Sequence, residues 1–212
     1  MNDFKSGFVT VVGKTNVGKS SIINKLVGEK IAAIANKPQT TRTRIRGIIN
    51  RPNSQIIIMD TPGLHKSKSK LGNMMNENAI SSIPDVDVVL YVIDASDKSI
   101  DEKILGKIKE SKKKTILIIN KIDLVDAKKV AELINKYKEL YDFTAIIPVS
   151  VKKEKNVEEI VKEIESNLKE GPAYYDTEEY TDQTLRQLAE ETIREKALKL
   201  LQDEVPHGIL VE

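Results

Sequence analysis

Runs of apolar, mostly β-branched residues alternate through residue 170 with segments whose apolar positions recur every three or four residues. The runs predict strands at Phe8–Val12, Ile45–Ile49, Gln55–Met59, Val86–Ile93, Thr115–Ile119 and Thr144–Val149. Several are apolar at nearly every position rather than at every second one. That pattern suits strands covered on both faces of a parallel sheet. The three-to-four spacing predicts helices at Lys19–Val27, Leu71–Ser82, Asp101–Glu110, Ala127–Leu140 and Val157–Leu168. Gly28 sits where a C-cap glycine ends the first of these. Strands and helices in this alternation predict an α/β fold, a mostly parallel six-stranded sheet with helices on both faces.

Gly171-Pro172 breaks the alternation. A Tyr/Asp/Glu-rich stretch follows, and Thr181-Asp182 supplies N-cap residues for an amphipathic helix over Gln183–Asp203. Pro206 ends that pattern and Ile209-Leu210-Val211 opens a strand. The expected organisation is a first domain over 1–171, a linker over 172–180 and an incomplete second domain over 181–212. One helix and the start of one strand bury little apolar surface, so the remainder of the second domain is expected beyond Glu212.

Composition narrows the chemistry. Cysteine is absent, which excludes disulfides, zinc–thiolate sites and a catalytic thiol. With His65 and His207 alone, neither a Ser-His-Asp site nor a multi-histidine metal site is expected. No apolar run reaches membrane-spanning or signal-peptide length, so a cytoplasmic protein is expected. The net charge of +2 conceals an asymmetry: residues 172–212 carry ten acids and four bases, a net of −6, against +8 for 1–171. A basic first domain is compatible with a polyanionic partner, and equally with an ordinary lysine-rich surface.

Gly13-Lys14-Thr15-Asn16-Val17-Gly18-Lys19-Ser20 matches G-x-x-x-x-G-K-[ST] between a predicted strand and a predicted helix. Backbone N–H groups of such a loop and of the helix N-terminus face phosphate oxygens. Lys19 would reach the β- and γ-phosphates, and the Ser20 hydroxyl would ligate Mg²⁺. Asp60-Thr61-Pro62-Gly63 follows the strand Gln55–Met59. Asp60 would hold Mg²⁺ through water, and the Gly63 N–H would meet the γ-phosphate. Asn120-Lys121-Ile122-Asp123 follows Thr115–Ile119. The Asp123 carboxylate can accept from guanine N1–H and the 2-amino group, a donor pair that adenine lacks. Asn120 would meet the base edge or brace the phosphate loop, and the Lys121 stem would cover the base. In Ser150-Val151-Lys152, the Val151 N–H is a candidate donor to guanine O6. Thr40 and Thr41 are both candidates for the threonine that senses Mg²⁺ and γ-phosphate, Thr41 being preferred.

These residues resemble the Era family of GTPases, within the TrmE–Era–EngA–Septin-like group. The match runs through the phosphate loop with Asn16, Pro38-Gln39-Thr40-Thr41-Arg42, Asp60-Thr61-Pro62-Gly63-Leu64, Asn120-Lys121-Ile122-Asp123 and Ser150-Val151. Tyr180-Thr181-Asp182, Ile193-Arg194-Glu195-Lys196 and Glu204-Val205-Pro206-His207 resemble the entry into that family's RNA-binding KH domain. The resemblance implies a Ras-like P-loop GTPase domain followed by a partial KH domain. It implies GTP hydrolysis with Lys19, Thr41 and Gly63 in catalysis. Nucleotide contacts fall to Gly13, Lys14, Thr15, Asn16, Val17, Gly18, Lys19, Ser20, Ser21, Asp60, Thr61, Pro62, Gly63, Asn120, Lys121, Asp123, Ser150, Val151 and Lys152. Mg²⁺ would be held by Ser20, Thr41 and Asp60. Leu64 stands where many GTPases carry a water-orienting Gln. Asn16 matches the Asn of potassium-activated members, so K⁺ is a second expected cation. The implied partners are the small ribosomal subunit and its 16S rRNA, with peripheral association at the cytoplasmic face of the inner membrane. The Gly-x-x-Gly clamp of a KH domain is absent after Gly171, so RNA binding is expected to be impaired in this chain. A slow-hydrolysing, nucleotide-gated RNA- or ribosome-binding module is the alternative, and an ATPase a third reading that Asp123 opposes.

Overall fold

The computed structural model describes residues 4–32, 45–60, 83, 86–97 and 99–200. Strands β1 (Lys5–Val12), β2 (Ile45–Arg51), β3 (Ser54–Asp60), β4 (Val88–Asp94), β5 (Lys114–Asn120) and β6 (Ala145–Pro148) form one sheet in the order β2-β3-β1-β4-β5-β6. All neighbours are parallel except β2, which runs antiparallel to β3 at the edge. Helices α1 (Lys19–Val27), α2 (Glu102–Ser111), α3 (Ala127–Leu140) and α4 (Val157–Asn167) cover it, and α5 (Leu185–Leu200) follows.

The continuous apolar strands have a direct explanation in the two-residue alternation of a strand. Val88, Leu90, Val92, Ile116 and Ile118 face one core, where Ile22, Ile23 and Leu26 of α1 and Ile160, Val161 and Ile164 of α4 pack. Val89, Tyr91, Ile93, Leu117 and Ile119 face the other, against Ile104 and Ile108 of α2 and Leu133 and Tyr137 of α3. The helix ends obey local rules. Asp101 and Asp126 cap α2 and α3 by accepting from the N–H groups of Ile104 and Lys129. Gly28 closes α1 in the left-handed conformation, φ 86°, its N–H returning to the Asn24 carbonyl at 3.0 Å.

Three details differ from the sequence reading. A two-residue strand, β7 (Lys169–Glu170), pairs antiparallel with Lys5 and Ser6. It is too short for periodicity to register. The last helix starts two residues later than expected, at Leu185. Its cap is a reciprocal box: the Thr184 N–H donates to Gln187 Oε1 at 2.8 Å and the Gln187 N–H to Thr184 Oγ1 at 3.3 Å. Thr181 instead forms an antiparallel bridge with Gly47 on the free edge of β2. Third, residues 174–180 lie hydrogen-bonded along β2 and β3. Gln55, wholly buried, accepts from the Tyr174 and Tyr175 N–H groups at 2.6 and 3.0 Å and donates to the Tyr175 carbonyl at 2.9 Å. The Asn50 amide donates to the carbonyls of Thr177 and Glu179, and the Ile48 N–H to that of Tyr180. The predicted helix Leu71–Ser82 and the terminal strand at Ile209–Val211 lie outside the described residues.

Candidate functional site

The parallel register brings the carboxyl ends of β1, β4 and β5 to one edge of the sheet, where open α/β sheets receive ligands. The loop Gly13–Gly18 joins β1 to α1 there. Gly13 has no room for a side chain: a Cβ would lie 2.3 Å from the Val92 carbonyl oxygen. Gly18 holds φ 102°, and its Cβ would lie 2.2 Å from the Asn120 amide nitrogen. The tight loop therefore depends on both glycines. Lys19 is buried at the base of α1, and its ammonium donates to the carbonyls of Gly13 and Lys14 at 3.1 and 2.8 Å. Ser20 and Ser21 follow it in the first turn of α1.

The end of β5 is joined to this loop by two side chains. Buried Asn120 donates from Nδ2 to the Val17 carbonyl at 2.9 Å. The Val151 N–H lies 3.4 Å from Asn120 Oδ1. Asn120 thus takes the bracing role, one of the two foreseen for it. Lys121 donates to the Asn16 carbonyl at 2.6 Å and pairs with Asp94 at 2.7 Å. Asp123 accepts from the Ser150 hydroxyl at 2.5 Å, which holds its carboxyl below the usual value, helped by Lys152 and Lys153 nearby. The carboxylate is ionised at neutral pH and is an acceptor, as the guanine contact requires.

Two acidic residues of this site were not singled out from sequence, because an Asp-Ala-Ser-Asp stretch after a strand reads as a plain turn. Asp94 ends β4. Desolvation pushes its carboxyl up, but the bonds from Lys121 and Ser96 outweigh that and lower it. Asp97 accepts from Lys14 at 2.7 Å and from the Ser99 N–H and hydroxyl at 2.9 and 2.7 Å. Against the opposing effect of desolvation, these bonds hold it at about 2. Lys14, expected among the nucleotide contacts, thus directs its ammonium to the β4–α2 loop and leaves its backbone to the phosphate loop.

The third segment is described in part. Asp60 ends β3, with its Cα paired to Val11 of β1. The backbone of β3 therefore finishes beside the start of the phosphate loop. Thr40, Thr41, Thr61, Pro62, Gly63 and Leu64 lie outside the described residues. The expected Mg²⁺ donors are hydroxyl and carboxylate oxygens, the set that a hard divalent cation prefers. Ser20, in the first turn of α1, stands at the mouth of the loop where such a cation would meet phosphate oxygens. By donor chemistry Ser20 and Asp60 suit the ion; Thr41 lies outside the described residues.

Comparison with known proteins agrees with this geometry. Residues 8–121 match the family described as 50S ribosome-binding GTPase. GTPase Era of Clostridium kluyveri is 46% identical over 210 residues, which is 98% of this chain and 72% of that protein. A crystal structure of an Aquifex aeolicus Era variant bound to GDP and aluminium fluoride superposes with a TM-score of 0.90 at 43% identity, covering 96% of this chain and 70% of that one. A structure of Era with MgGDPNP and nucleotides 1506–1542 of 16S ribosomal RNA gives the same TM-score, identity and coverage.

Proposed function

The chain belongs to the Era family of GTPases, and on that premise we propose that it is a nucleotide switch in small-subunit assembly and 16S rRNA maturation. It hydrolyses GTP to GDP and phosphate. Lys19 and the N–H groups of Gly13–Ser21 take the phosphates; Asn120, Lys121, Asp123, Ser150, Val151 and Lys152 take the guanine. Mg²⁺ at Ser20, Thr41 and Asp60 would offset charge on the β- and γ-phosphate oxygens. Thr41 and the Gly63 N–H respond to the γ-phosphate. Water adds to the γ-phosphorus while the bond to the bridging oxygen breaks. Its electron pair leaves on GDP, and Lys19 and the loop N–H groups stabilise the oxygens that gain charge. K⁺ beside Asn16 is part of this proposal.

The observation that carries it is the joining of the two loops. Asn120 donates to the Val17 carbonyl and Lys121 to the Asn16 carbonyl, so the Asn-Lys-x-Asp segment is tied to the Gly13–Ser20 loop, which supports reading the two as one nucleotide site. The rRNA assignment is supported by the Era complex with 16S rRNA. Residues 1–171 form the GTPase domain, 172–180 the linker, and 181–212 the opening of a KH domain. Peripheral membrane association at the cytoplasmic face belongs to the same proposal; among the described residues no helix is long and apolar enough to cross a membrane. Competition of GTP and ATP for the site tests the base assignment: equal displacement removes Asp123 from base selection. Single-turnover hydrolysis with and without small ribosomal subunits tests the switch. A slow rate that the subunits leave unchanged favours the nucleotide-gated binding module instead.

A further inference from the structure

A cation at the second position of a phosphate loop would be expected to face the anion. Lys14 does not. Its ammonium donates to Asp97 Oδ2 at 2.7 Å, to the Ser99 carbonyl at 2.9 Å and to Ser99 Oγ at 2.5 Å. An ammonium has three N–H donors, so all three are committed to the β4–α2 loop. That loop is itself fixed. Asp97 Oδ1 accepts from the Ser99 N–H and hydroxyl, the Asp97 N–H donates to the Asp94 carbonyl, and the Ala95 N–H donates to the Asn120 carbonyl at the end of β5. Lys14 is therefore tied through its side chain to the ends of β4 and β5. Its carbonyl in turn accepts from the Lys19 ammonium at 2.8 Å. A line of contacts runs from Asp97 and Ser99 through Lys14 to Lys19.

We propose that Asp97 and Ser99 are positioning residues for GTP hydrolysis, acting through Lys14 to set the first half of the phosphate loop and the Lys19 ammonium against the transferring γ-phosphoryl group. The inference rests on the assignment of Gly13–Ser20 as the phosphate loop. Its selectivity follows from which groups the tether reaches. Lys19 would meet the β-phosphate of GDP too, but GDP is held besides by the Ser20–Ser21 end of the loop and by the base contacts proposed at Asn120–Asp123, which do not pass through Lys14. The γ-phosphoryl group would lack those further supports. Loosening Lys14 therefore acts on the chemical step more than on nucleotide affinity.

The test measures single-turnover GTP hydrolysis and GDP affinity in wild type, Asp97→Ala, Asp97→Asn, Lys14→Ala and the Lys14→Ala/Asp97→Ala pair. Asp97→Ala should slow hydrolysis about ten-fold, the scale of a sub-ångström misplacement, while GDP affinity changes less than about three-fold. Asp97→Asn keeps an acceptor without the charge and should recover part of the rate. It also serves as the folded control should the alanine variant fail to fold. The pair should hydrolyse no more slowly than Lys14→Ala alone, because the tether is cut once. Unchanged hydrolysis in Asp97→Ala would overturn the proposal. So would equal losses of rate and GDP affinity, or an effect of Asp97→Ala that persists in the Lys14→Ala background. If wild type binds no GDP, the phosphate-loop assignment itself has failed.

Discussion

At the carboxyl ends of β1, β4 and β5, residues far apart in sequence are joined by charges: Lys14 with Asp97 and Lys121 with Asp94. On the outer edge of the same sheet, residues 174–180 are joined to β2 and β3 by the neutral amides of Asn50 and Gln55. Both regions order backbone, but their chemistry suits different tasks. An anion site needs cations; here Lys14 and Lys121 are held by carboxylates and Lys19 by backbone carbonyls. A seam that receives no charged ligand is served by groups whose bonds depend on neither salt nor pH. The two regions should therefore fail separately, and under different perturbations.

The largest effect should come from the pocket. Replacing Asp123 with Asn exchanges an acceptor for a donor at the carboxylate proposed to face guanine. GTP affinity should fall by at least about a hundred-fold, and xanthine nucleotides, with an oxo group in place of the 2-amino group, should gain. Amide exchange at Tyr174 and Tyr175 should not change. Unaltered GTP affinity would remove Asp123 from the base pocket.

Gly18→Ala attacks the joint between the two loops. Its φ of 102° strains any side chain, and the new Cβ would displace the Asn120 amide from Val17. The expected loss of stability is about 1–3 kcal/mol, with weaker nucleotide binding. Thermal unfolding and GDP titration read the two effects. A variant as stable as wild type would show that the joint tolerates rearrangement.

The strap is broken most directly at Gln55. Gln55→Leu keeps the volume but leaves the Tyr174 and Tyr175 N–H groups without their acceptor, at a cost of about 1–3 kcal/mol. Exchange should rise at 174–180 and in α5, while Ile116–Ile119 in the central strand stays protected. On helix α5, Leu188 packs against the core, while Leu185 is 83% and Ile193 54% exposed. GDP affinity should not move. A fall in GDP affinity would mean that the edge of the sheet communicates with the pocket.

These contrasts also explain what the sequence could disclose. The central strands were legible because Val88–Ile93 and Ile116–Ile119 are apolar on both faces, and α1 because Gly28 ends it. The segments of the candidate site stood out because each is contiguous: Asn120 and Asp123 sit within four residues. The ties between elements were not. Lys14 and Asp97 are 83 residues apart, and Gln55 meets Tyr174 across 119. No periodicity links such pairs. The signal that did exist was Gln55 itself, a polar residue inside a run that had to be buried. Likewise Thr184 and Gln187 have the spacing of a capping box, and mark the helix start better than Thr181-Asp182.

Acid should produce the smallest effect and separate the regions most cleanly. Asp97 is held at about 2, below its usual 3.8, by its bonds to Lys14 and Ser99. A carboxyl lowered by folding contributes stability that is fully present above 3.8 and is lost as pH falls from there toward 2. Both partners are about one-third exposed, so screening limits the contribution to about 0.2–1 kcal/mol. The amide resonances of Lys14 and Thr15 should titrate in that window, with a smaller amplitude at high salt. The Tyr174 amide, bonded to a neutral Gln55 side chain, should show no such step. A Lys14 transition centred near 3.8 would mean that Asp97 is unpaired in solution. A Tyr174 shift following that of Lys14 would mean that the charged and neutral regions are one cooperative unit.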